Sequence, residues 1–139
     1  MNIYFSGIGG VGIGALASIA HSAGYGVFGS DQNSSLMIEE LSKKDIEIEI
    51  GEQNGDFLKQ KFIENGIDWF VYTAALPKNH PELLTAKKLG IKISKRDELL
   101  NEIINSKKLK LIAISGTHGK TTTTGMAIWA FQQLGIPIS

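Results

Sequence analysis

Residues 1–31 read MNIYFSGIGGVGIGALASIAHSAGYGVFGSD. Met1 to Ser6 has the apolar character of a short strand. Val11 to Ala23 reads as a helix whose small residues Gly12, Gly14, Ala15 and Ala17 permit close packing on a sheet. Between them lies Gly7-Ile8-Gly9-Gly10-Val11-Gly12. In a dinucleotide-binding strand–turn–helix the first glycine makes the tight turn, the second lets backbone approach a pyrophosphate, and the third brings the helix against the strand. Gly7, Gly9 and Gly12 fill those places, with Gly10 beside them. Tyr25 to Ser30 reads as a second strand, and Asp31 ends it about 20 residues on, where an acidic residue meets ribose hydroxyls. The pattern predicts diphosphate binding without naming the nucleotide, because NAD, FAD and nucleotide-sugar ligands all satisfy it. In the competing reading the glycines serve only tight packing and Asp31 only caps the loop.

Further along, helical and strand signals keep alternating. Leu36 to Lys44 is helix-like after the capping cluster Asn33-Ser34-Ser35, and Ile46 to Ile50 is a third strand. Phe57 to Glu64 forms one apolar helical face, stopped by Asn65-Gly66 before the apolar run Ile67 to Thr73, read as a fourth and central strand. Pro81 opens a helix to Leu89 with Asn79 or His80 as its cap and Gly90 as its stop. Ile91 to Ser94 is a fifth strand and Asp97 to Asn105 a further helix. Strands and helices at these intervals predict an α/β fold: a Rossmann-like parallel sheet covered on both faces, with right-handed crossovers. Ser106-Lys107-Lys108 is the best linker candidate. The expected division is 1–107 for this domain and 108–139 for the start of a second, incomplete one.

That second part opens with an expected strand, Leu109 to Ser115, and then Gly116-Thr117-His118-Gly119-Lys120-Thr121. Ile114 stands where G-x-x-x-x-G-K-[ST] has its first glycine, so the loop is short by that measure. Its chemistry is coherent all the same. Lys120 offers a point charge to β- and γ-phosphates, Thr121 a hydroxyl to Mg²⁺, and Gly116 and Gly119 an unobstructed backbone. ATP is the natural ligand. Thr122, Thr123 and Thr124 are poor helix formers, so their run points to local anchoring.

The 14 basic and 14 acidic side chains cancel, which removes the global field that would collect nucleic acid or an anionic membrane surface. A mean hydropathy of +0.01 and 42% hydrophobic residues suffice for a core. No signal segment or long apolar run occurs, and the absence of cysteine excludes disulfides and thiolate metal sites. The expected setting is the cytoplasm. Trp69 and Trp129 are expected to pack in cores, and His21 and His80 to hold no metal. Arg96, the only arginine, and Thr73 both stand at strand ends, where a parallel sheet binds ligands. Apolar residues in Leu111 to Ile114 and Ala127 to Phe131 suggest that copies could pair through this segment.

These residues resemble the Mur ligase family over the whole chain, and most closely its alanine-adding branch. The resemblance rests on Phe5 to Gly12, Gly29-Ser30-Asp31, Thr73-Ala74-Ala75 with Asn79-His80-Pro81-Glu82, and Gly116 to Thr123. Two positions depart from the family: Tyr4, where histidine is common, and Lys95-Arg96, where two arginines are common. The resemblance implies an ATP-dependent amide ligase that joins L-alanine to the lactyl carboxylate of UDP-N-acetylmuramic acid through an acyl phosphate. By the same resemblance Gly7, Gly9, Gly10, Gly12, Asp31, Thr73 and Arg96 would hold the UDP moiety. Gly116, Thr117, Gly119, Lys120, Thr121 and Thr122 would hold ATP, Thr121 also Mg²⁺, and His118 and Lys120 would lie beside the transferring group. With the second domain unfinished, this chain alone is expected to bind without ligating. The alternatives are a nicotinamide-dependent oxidoreductase domain and a non-catalytic, nucleotide-responsive module.

Overall fold

A computed structural model describes residues 1–138. The chain divides into two compact units, one spanning Met1–Leu109 and one beginning at Lys110.

In the first unit, strands β1 (Asn2–Ser6), β2 (Gly26–Asp31), β3 (Glu47–Ile50), β4 (Trp69–Tyr72) and β5 (Lys92–Lys95) alternate with helices α1 (Val11–Ser22), α2 (Leu36–Ser42), α3 (Asp56–Asn65), α4 (Pro81–Lys88) and α5 (Arg96–Ser106). All pairings are parallel and the order is β3-β2-β1-β4-β5. The α/β expectation holds. The middle strand is β1, with β4 beside it, whereas the sequence had suggested β4 for the centre.

Side chains alternate across a strand, so each strand feeds two cores. Ile3, Phe5, Val27, Trp69 and Val71 pack with Ile13, Leu16, Ala17, Leu41, Leu99 and Ile103 of α1, α2 and α5. Tyr4, Phe28 and Phe70 face the other way, onto Leu58, Leu83 and Ala86 of α3 and α4. Local chemistry sets the helix ends. Ser35 Oγ accepts from the Ile38 amide at the start of α2, and Pro81 occupies the first turn of α4. Gly66 and Gly90, at φ +70° and +69°, close α3 and α4. His80 stands at the cap position of α4, but its side chain makes no capping bond.

Among its described residues the second unit contains one helix, α6 (Lys120–Gln133), none of whose residues is buried. Two expectations change here. Leu109 to Ser115 forms no strand, because a strand needs a neighbouring ladder and none of the described residues supplies one. Trp129 is 64% exposed, whereas Trp69 is 2% exposed in the sheet core as expected. None of the described helices is long and apolar enough to cross a membrane.

Candidate functional site

Parallel strands deliver all their outgoing loops to one edge of the sheet. In this order the chain reverses direction across the sheet between β1 and β4, which opens a crevice at their carboxyl ends. A cleft of about 460 Å³ lies there. It is lined by Gly7, Gly9 and Gly10 of the first loop, residues 31–35 after β2, Gln53 after β3, and Thr73, residues 75–77 and His80 after β4.

The first loop is tied down by its own amides. Gly7 and Ile8 donate to the Ser30 carbonyl at 2.8 and 3.1 Å, and Gly10 donates to the Gly7 carbonyl at 3.2 Å. The Gly9 amide donates to Asp31 Oδ2 at 2.8 Å, and Ser35 Oγ donates to the Gly9 carbonyl at 3.2 Å. Asp31 therefore braces the loop, as the competing reading expected, while its carboxylate also lines the cleft. The next amides differ. Gly14 is the first of α1 to reach back to a carbonyl of the turn, that of Gly10 at 2.7 Å, so those of Val11, Gly12 and Ile13 have no acceptor among the described residues. They form the positive end of the α1 dipole.

The glycines divide their labour differently from the expectation. Gly7, at φ +79°, makes the turn and lies so close to Thr73 that a Cβ would come within 2.9 Å of its Cγ2. Gly14, not Gly12, admits the tight packing of α1. A Cβ there would meet the Ile8 carbonyl at 2.7 Å and Met37 Cγ at 2.3 Å. The open face of Gly12 is taken by Arg96, whose Nη1 would sit 2.1 Å from a Cβ at that position. Arg96 is exposed at the start of α5, and among the described residues no carboxylate forms a salt bridge with it. A guanidinium thus lies beside the N-terminus of α1, and no carboxylate among the described residues forms an ion pair with it.

Beneath the loop lies a group of residues that the sequence reading did not single out as a site. Glu82 is completely buried, and four donors converge on its carboxylate. Tyr4 Oη donates to Oε1 at 2.7 Å, Ser30 Oγ to Oε1 at 2.6 Å, Ser6 Oγ to Oε2 at 2.5 Å, and Gln53 Nε2 to Oε2 at 3.2 Å. Four donors match the roughly four lone-pair positions of a carboxylate. Burial, and then the Glu82 charge, push the Tyr4 phenol well above its ordinary range. A signal existed in the sequence: Tyr4, Ser6 and Ser30 are polar residues at core-facing positions of apolar strands, and Ser6 pairs in register with Ser30. Polar groups in such places need a partner. The tyrosine that departs from the family pattern is one of these donors.

In the second unit, Gly116 and Gly119, at φ +156° and +75°, form the turn before α6. Lys120 is the first residue of α6, and its Nζ donates to the Gly116 carbonyl at 2.7 Å across the turn. Thr123 N returns to the Gly119 carbonyl, and Thr124 Oγ1 donates to the Lys120 carbonyl at 2.8 Å, a local anchor for the threonine run. The amides of Lys120, Thr121 and Thr122 have no acceptor among the described residues. Thr117, His118 and Thr121 are exposed around the turn. No group of three or more His, Asp or Glu suited to a metal occurs among the described residues.

This geometry can be compared with known proteins. The profile of the Mur ligase family, catalytic domain, matches residues 2–108. The chain belongs to the Mur ligase family. Among its relatives, the UDP-N-acetylmuramate–L-alanine ligase of Clostridium acetobutylicum is 44% identical over 124 residues, which are 89% of this chain and 25% of that protein. That of Clostridium kluyveri is 46% identical over the same share of the chain and 26% of its own length. A solved UDP-N-acetylmuramate–alanine ligase from Thermotoga maritima superposes with a TM-score of 0.82 at 30% identity, covering 96% of this chain and 30% of the other. A murein peptide ligase from Psychrobacter arcticus gives the same TM-score at 28% identity over 100% of this chain and 30% of its own. This Mur ligase chain thus spans about a quarter of the length of the curated relatives it matches.

Proposed function

We propose that the chain is the nucleotide-binding part of an ATP-dependent ligase of the alanine-adding branch, acting in the cytoplasm on UDP-N-acetylmuramic acid and L-alanine in peptidoglycan synthesis. The cleft of the first unit holds the UDP moiety. One observation carries this reading: Arg96 lies over Gly12 at the positive end of α1, beside the unpaired amides of Val11, Gly12 and Ile13. The guanidinium is exposed, so an anion can reach it together with the three free amides, and a diphosphate matches the pair in charge and in acceptor number. Gly7, Gly9, Gly10 and Thr73 line the cleft beside that anion, and Asp31 holds the loop in shape with lone pairs still open to ribose hydroxyls.

The second unit takes the phosphates of ATP. Its free amides at Lys120, Thr121 and Thr122 and the ammonium of Lys120 surround the turn from Gly116 to Gly119, with Thr117 and His118 at its rim. The hydroxyl of Thr121 would help to hold a Mg²⁺ ion, which would supply charge neutralisation at the phosphates. In the ligation, a carboxylate oxygen of the substrate attacks the γ-phosphorus and ADP leaves. The alanine amine then attacks the acyl carbon, losing a proton as inorganic phosphate departs. Lys120 and His118 serve by placing positive charge and hydrogen-bond donors beside the transferring phosphoryl group.

Calorimetric titration of the chain tests the reading. Heat is expected with UDP-N-acetylmuramic acid and not with NADH, and Arg96→Ala should weaken binding about tenfold or more. Heat with NADH alone would replace the ligase by an oxidoreductase, and ATP binding with no response to any UDP compound would leave only a nucleotide-responsive module.

A further inference from the structure

The buried carboxylate fixes the orientation of a side chain in the cleft. Ser30 has one hydroxyl proton, and it goes to Glu82 at 2.6 Å. The 2.8 Å contact between Gln53 and Ser30 must therefore use a proton of Gln53, and so must the 3.2 Å contact to Glu82 Oε2. Both protons of the Gln53 amide are spent inward. A flipped amide would set its oxygen against the carboxylate. The Gln53 carbonyl oxygen is left outward by elimination, on a side chain 8% exposed that lines the cleft, with no donor for it among the described residues.

A second, independent observation lies on the same cleft. His80 is 7% exposed, and its Nδ1 is the one fully buried side-chain nitrogen or oxygen without a partner among the described residues. Its Nε2 has no partner among the described residues either. The wall of the cleft thus presents two polar groups that no described residue occupies, the outward Gln53 carbonyl oxygen and the buried His80 imidazole, both open to a ligand.

We infer that Gln53 is a specificity residue: its carbonyl oxygen accepts an N–H or O–H from the nucleoside end of the bound nucleotide, with His80 as the second polar group of that wall. This rests on the UDP reading above and adds what the wall selects. Two parts of a uridine nucleotide carry such a proton, the imide N–H of the base and the ribose hydroxyls. A site built around an acceptor rejects a ligand lacking the donor far more strongly than a packing change would.

The test is titration of the whole chain with UDP, N3-methyl-UDP, 2′-deoxy-UDP and 3′-deoxy-UDP. One of the three analogues is expected to bind at least about tenfold more weakly than UDP, and which one identifies the donor. In Gln53→Met, which removes the acceptor, that analogue and UDP should bind alike. Equal binding of all four compounds to the unaltered chain overturns the role of Gln53 even if the variant does not fold, and so does discrimination that persists in a folded variant. No binding of UDP itself overturns the reading underneath, a separate and distinguishable failure.

Discussion

A methyl group at position 12 would land 2.1 Å from Arg96 Nη1, the far end of a flexible side chain, whereas one at position 14 would meet the backbone carbonyl of Ile8 at 2.7 Å. The two substitutions should therefore separate binding from stability. In Gly12→Ala the guanidinium swings away at little cost, and the helix gains about 0.5–1 kcal/mol from replacing glycine. Thermal unfolding should stay unchanged or rise slightly while UDP-sugar affinity falls about tenfold. Gly14→Ala should cost about 1–3 kcal/mol in denaturant unfolding, since a main-chain oxygen cannot move aside. The spacing of glycines in the sequence located the loop correctly, but it could not assign each one its neighbour. A missing side chain leaves no record of what approaches it, so only the structure shows that Arg96, far along the sequence, fills the space at Gly12. Asp31 was legible as the acidic residue ending β2, and its bond to the Gly9 amide was anticipated only by the packing alternative.

Among the elements, α4 is locked to the sheet by Glu82, and the lock has two measurable properties. Glu82→Ala would strand the hydroxyls of Tyr4, Ser6 and Ser30 and the amide of Gln53 in a dry interior, at a cost of about 3 kcal/mol or more in unfolding free energy. Tyr4 adds a pH dependence. Its folded pKa lies above the ordinary value of 10.0, raised by burial first and by the Glu82 charge second. Above that pH the unfolded chain sheds the proton while the folded chain keeps it, so stability is full below about 10 and declines as pH rises further. Tyr4→Phe should flatten this alkaline limb in urea melts recorded from pH 9 to 11. Alternating apolar periodicity made nearly every strand and helix of the first unit readable, with ends shifted by a residue or two. It failed for Leu109 to Ser115, because β propensity describes a residue's fit to a sheet and cannot supply the neighbouring strand. Glu82 entered only within the motif Asn79-His80-Pro81-Glu82, and periodicity gave no sign of its burial, since a charged residue near a helix start reads as a favourable dipole contact. Its burial is decided by β1 and β2.

For the molecule as a whole, the division into two units places the cleft residues in one and the phosphate-type turn in the other. Lys120→Ala should accordingly leave UDP-sugar affinity within about twofold while abolishing ATP binding, a contrast that paired titrations would expose. Each unit also holds one of the chain's two tryptophans, at opposite extremes of exposure: Trp69 at 2%, with Lys92 Nζ 3.3 Å above its ring, and Trp129 at 64%. The protein consequently contains a two-colour optical gauge. Short-wavelength emission should come from the indole inside the sheet and long-wavelength emission from the one in water, so iodide should quench only the red edge of the spectrum. A denaturation series followed at both edges would then report on each half without any label, and Trp129→Phe should erase the red component while leaving the blue one in place.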